Sequence, residues 1–156
     1  MQTSPTSSPA SIASIRYCAL SLGIFFFLLG LAGFVPAFVA SPANAYPISG
    51  YGYLFGIFPT NYFHNAIGIL VGLWGIAAFT SLSGAIVFNR IFTIVYALSA
   101  LLGILPVTNT LFGTMPLYGN NVWLNILVAA IAYYYGFIKP AEITTPGSSS
   151  SVQSGV

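Results

Sequence analysis

Residues 18–35 read CALSLGIFFFLLGLAGFV, eighteen consecutive positions without a charge. The hydrocarbon core of a bilayer is about 30 Å thick, and a helix needs about 20 residues to cross it, with about 17–25 the usual range. The stretch therefore reads as a membrane-spanning helix. Three more apolar stretches meet the same length rule, and helices are expected over residues 17–35, 62–79, 84–105 and 122–138. The third carries Asn89 and Arg90 in its first turns. A helix starting after Arg90 would keep only fifteen apolar residues, so the longer one is expected. Its guanidinium reaches back to the headgroups along the methylene stem.

The rest of the composition agrees. Of 156 residues, 57% are hydrophobic and 3% charged, the latter being Arg16, Arg90, Lys139 and Glu142. Soluble domains carry about 25% charged residues, and four charges cannot keep a globule of this size in water. A soluble enzyme, a nucleic-acid binder and a disordered chain are thereby excluded. The net charge of +2 makes no basic patch. The single Cys18 allows neither an intrachain disulfide nor a cysteine-rich metal site. The expected fold is an all-α integral membrane protein with its membrane domain over 16–139. Residues 1–15 and 140–156 bury too little apolar surface to offset their ordering entropy and are expected to be disordered tails.

Basic residues favour the cytoplasmic side. With four spans, Arg16, Arg90 and Lys139 all fall on one face, so both termini and the turn around residues 80–83 are expected inside. The connections 40–61 and 106–121 then face outward, and residues 51–58 are expected to lie flat on the membrane as a short interfacial turn. A rival reading makes the first helix a signal peptide cleaved at Ala43-Asn44-Ala45. Signal h-regions span about 7–15 residues, and the uncharged run quoted above fits an uncleaved span better.

Sliding the chain against itself by 57 positions uncovers a repeat. Leu54-Phe55-Gly56 meets Leu111-Phe112-Gly113, Pro59 meets Pro116, and Ile69-Leu70-Val71 meets Ile126-Leu127-Val128. Helices one and three share Leu28-Leu29-Gly30 with Pro36 and Leu101-Leu102-Gly103 with Pro106. Matching Gly and Pro mark backbone punctuation, not mere oiliness. The expected architecture is two tandem helix pairs related by a pseudo-twofold along the membrane normal, as in some small transporters and in plain structural duplications.

His64, the only histidine, has two readings. It is a metal or tetrapyrrole ligand or a proton relay, or it is an interfacial residue bonded to loop and water. Under the 57-residue shift it falls on Asn121, and Gly68 falls on Asn125. Each pair is four residues apart and shares a helix face. If the two faces meet, His64, Asn65, Asn121 and Asn125 form a polar cluster between helices two and four. The bland alternative has Asn121 capping helix four and Asn125 bonding a neighbouring helix. Gly68, Gly72 and Gly75 line one stripe of helix two, and Gly30, Gly33 and Gly103 repeat the theme, a pattern that lets helix backbones approach closely. That stripe serves packing within the bundle or, on the sharper reading, association with another chain. The abundant tyrosines suit interfacial belts. No nucleophile–base pair, carboxylate dyad, phosphate loop or metal-ligand set is present.

With these residues laid out, the chain resembles a known family. Gly23 through Pro36 reads G-x6-G-x2-G-F-x-P. There follow Leu54-Phe55-Gly56-Ile57-Phe58, Phe63-His64-Asn65 with the Gly72 and Gly75 segment, Val95-Tyr96, and Trp123-Leu124. In order and spacing over residues 17–138 these resemble the domain of unknown function 4383 family, small four-helix membrane proteins of actinobacteria and cyanobacteria. The resemblance implies a bacterial plasma or thylakoid membrane and no known reaction. Members often read His-Asn-x-x-His in helix two and Trp-Leu-His in helix four. Here Gly68 and Asn125 stand instead, so His64 alone remains of such a cluster. The expected function is that of a non-enzymatic multi-pass membrane protein, a structural or accessory subunit without a cofactor. Its partners are then the lipid bilayer and other membrane proteins or itself, and not nucleic acid. The alternatives are a permeation protein with the polar cluster at its outer mouth, and a pigment- or haem-associated protein with His64 as axial ligand.

Overall fold

The computed structural model describes residues 9–42 and 50–144. Helix α1 spans Pro9–Ala32 and leads through a 3-10 turn at Pro36–Phe38 to strand β1, Val39–Ala40. Strands β2 (Gly52–Leu54) and β3 (Phe58–Thr60) precede α2 (Tyr62–Ala78) and α3 (Leu82–Ile104). Helix α4 (Asn120–Tyr133) continues through a π-helical turn, Tyr134–Ile138, into α5 (Lys139–Thr144). Three helical rods are long and apolar enough to cross a membrane: Pro9–Ala32, Leu82–Ile104 and Asn120–Ile143. The fourth, α2, is shorter at 17 residues, about 25 Å at 1.5 Å per residue.

The helix ends follow from local chemistry. Asn61 caps α2 by accepting from the His64 amide at 2.8 Å, and Ser81 caps α3 by accepting from the Gly84 amide at 3.0 Å. Only Phe79–Ser81 separate those helices, so α2 and α3 run antiparallel through a tight turn. At its start α1 reaches into the segment expected to be a tail. Pro9 sits at the helix entrance, where its missing N–H costs nothing, and Ile15 is fully buried. The helix likewise continues past residue 139. The remainder of both expected tails, and the candidate cleavage site at Ala43, lie outside the described residues.

The fold is mostly helical and not all-α. Residues 51–58, expected as a flat interfacial turn, build an antiparallel hairpin, with Tyr53 opposite Pro59 and Leu54 opposite Phe58. Strand β1 adds to it through Val39–Leu54 pairing. The hairpin reverses at Phe55 and Gly56, both left-handed at φ 52° and 74°. Phe112 and Gly113, in the connection between α3 and α4, take the same conformation at φ 56° and 86°.

Glycine sets the distance between α1 and α2. A Cβ on Gly75 would stand 2.7 Å from the Gly23 Cα and 2.8 Å from the Ala19 carbonyl. Gly68 faces Gly30 less tightly, at 3.4 Å for an added Cβ, Gly72 faces Phe27, and Gly33 lies under the Asn65 side chain. Gly103 packs against Leu117 and Val122 beside α4. In the middle of the bundle Phe88, Phe92 and Tyr96 of α3 stack along their helix, with Phe26 of α1 edge-on to the last two. The outward faces are apolar as well: Leu28, Leu70, Ile94, Leu101 and Leu127 are all more than half exposed. A helix apolar on every side belongs in a core or a membrane.

Candidate functional site

The polar side chains gather at the two ends of the bundle, and the ends use different chemistry. Away from the sheet lie the charges. Arg16 donates through Nε to the Phe79 carbonyl at 2.7 Å and covers the Phe79 ring. Arg90 donates through Nε to the Gly136 carbonyl at 2.8 Å and covers Phe137. Lys139 pairs with Glu142 at 3.3 Å. Each arginine thus meets carbonyls near the end of a neighbouring helix, where cations are favoured. Asn89, fully buried, reaches the Ile15 carbonyl at 3.3 Å.

At the sheet end the bonds are made by neutral amides. Asn121 Nδ2 donates to both the Pro59 carbonyl, 2.7 Å, and the Pro116 carbonyl, 3.0 Å. It therefore ties the sheet to the α3–α4 connection with one group. Asn61 Nδ2 donates to the Thr114 carbonyl at 2.8 Å, and Asn120 Nδ2 to the Ile57 carbonyl at 3.0 Å. Asn65 accepts from the Thr60 hydroxyl and donates to the Gly33 carbonyl at 2.8 Å, holding the end of α1. The Tyr51 and Tyr118 hydroxyls bond each other across the same surface. Burial pushes both phenols above the usual tyrosine range, so both are neutral at neutral pH.

Beneath this cap lies a cavity of about 90 Å³ between sheet and helices. All four members of the sequence-derived cluster, His64, Asn65, Asn121 and Asn125, line it. Two of them are committed to backbone carbonyls, as described. The His64 ring approaches the Pro59 carbonyl, but its Nδ1 is buried and completes no hydrogen bond among the described residues. Asn125, one turn beyond Asn121, is buried too, and no hydrogen bond joins its carboxamide to another described residue. Below, Phe26 and Tyr96 form the floor, with Phe92 stacked under Tyr96.

Several contributors were not singled out in the sequence. Asn61 was legible as a cap, an Asn directly before an apolar run. Thr60 and Asn120 carried no signal of their own, since their partners are a neighbouring side chain and a backbone carbonyl brought near by the fold. The carbonyls joined by Asn121 belong to Pro59 and Pro116, the two prolines the 57-residue shift superimposes.

A family model described as a domain of unknown function (DUF4383) matches residues 16–138. No curated protein and no solved structure matches the chain.

Proposed function

The chain belongs to the DUF4383 family, and from that membership and the geometry above we propose a non-enzymatic multi-pass membrane protein that works as a structural or accessory subunit. One observation carries the reading. The buried polar side chains are mostly spent on backbone carbonyls, with Asn61, Asn65, Asn89 and Asn121 all so engaged. Such groups stiffen a scaffold and are not free to turn over a substrate. All four helices span, α2 at the short end of the usual range, with both termini in the cytoplasm and the sheet outside. Two helix pairs arose by duplication. That reading is supported by the shared left-handed Phe-Gly turns and by the two arginines that clamp the partner helix of each pair.

A permeation role fits less well, because the stack of Phe26, Tyr96, Phe92 and Phe88 fills the bundle below the cavity. The accessory reading predicts an assembly. Extracted in a mild detergent and weighed by native mass spectrometry, the protein is expected above the 16.5 kDa of one chain. A monomer under every gentle extraction condition overturns the proposal.

A further inference from the structure

The cavity under the sheet holds one fully buried polar atom that the scaffold leaves without a partner. His64 Nδ1 is that atom among the described residues, and the Asn125 carboxamide, which is not fully closed off, makes no hydrogen bond to another described residue either. Both residues line the same space. Buried polar groups in native proteins are nearly always satisfied, by protein, water or ligand. Asn65 and Asn121, on the same walls, obey that rule through carbonyls. His64 Nδ1 obeys it only if something occupies the cavity, which Asn125 and Tyr96 also line.

Size and lining narrow the occupant. An apolar cavity of about 150 Å³ holds benzene. In proportion, 90 Å³ admits about four non-hydrogen atoms, or about three waters at about 30 Å³ each. No Asp, Glu, Lys or Arg lines the space, so a charged occupant would lack a counter-charge. Phe26, Leu29, Val71 and Leu124 supply apolar wall, which waters would leave poorly covered. A hydroxyl answers both unpartnered groups at once: it donates to an unprotonated imidazole nitrogen and accepts from a carboxamide N–H.

We propose that this cavity is a binding site for a short, neutral amphiphile of the alcohol class, its hydroxyl shared between His64 and Asn125 and its alkyl end against Leu29, Val71 and Leu124. The site is independent of the accessory role: assembly mass reports one, ligand occupancy the other.

His64 is the only histidine in the chain, so a protein carrying a histidine-free tag and labelled in its histidine ring gives a single set of imidazole signals. With 1-propanol titrated into the detergent-solubilised protein, the His64 signals are expected to shift saturably. In Asn125→Leu the apparent affinity is expected to fall at least tenfold. In Val71→Phe, which adds bulk to an apolar wall of the cavity, saturation is expected to disappear, and this variant keeps the test decisive should the first not fold. A shift that rises linearly and equally in all three proteins would be a solvent effect and overturns the site. Saturation untouched by both variants overturns it too, as does contact from water alone with none from propanol.

Discussion

Asn121 does the most with a single side chain. One Nδ2 serves two carbonyls, each from a different connection. Replacing it by Leu leaves both Pro59 and Pro116 without that donor in a buried site, where an unmet acceptor costs about 1–3 kcal/mol. Asn121→Leu should therefore lower unfolding stability by at least about 2 kcal/mol, read by circular dichroism in a denaturant titration. Asn120→Ala, which removes an exposed donor to the Ile57 carbonyl, should cost much less, and equal losses in the two variants would refute the division of labour. The importance of Asn121 was partly legible, because the internal shift sets it against His64. Its two acceptors were not, since any residue type can offer a carbonyl and only the fold decides which ones arrive. Asn89 shows the same limit. It reads as a polar residue near a helix end, while the structure buries it against α1.

At the scale of elements, the apolar runs gave the helices well. The lengths needed to cross lipid are dictated by the bilayer, and three of the four rods reach them while α2 is shorter. The longer form of α3, with Arg90 inside it, follows from the same rule. Strands of two and three residues cannot display an alternating pattern, so the sheet was invisible. The π-helical turn was equally hidden. The glycine stripe was legible as a device for close approach, and the structure shows which approach, that of α1 to α2. A Cβ on Gly75 would meet the α1 backbone at Gly23 and Ala19, which cannot rotate away, and the Phe88 ring. Gly75→Ala is expected to destabilise the helix pair by about 1–3 kcal/mol. An unchanged unfolding midpoint would mean that the two helices can part freely.

For the whole molecule, composition settled the class before any position was read, because so few charges cannot solvate a surface. Orientation is a finer matter, carried by three basic residues that the fold gathers at the end opposite the sheet. It predicts a labelling pattern. In a background with the buried Cys18 replaced by Ala, Phe112→Cys should react with an impermeant maleimide applied to the outside of intact cells. Thr80→Cys, in the α2–α3 turn, should react only after the membrane is opened, and the reverse pattern would invert the topology. The contrast between the two ends also bears on how such a chain enters a membrane. Between Arg16 and Arg90, and again between Arg90 and Lys139, there is no Asp, Glu, Lys or Arg. In the orientation proposed, the segments that must be translocated carry only neutral amides and hydroxyls, which pass far more cheaply than charges. The stitches of the sheet end can form only after both translocated segments have arrived, since Asn61 and Asn121 each bond across from one to the other. Biogenesis therefore ends where the amides are, with the charged end already anchored.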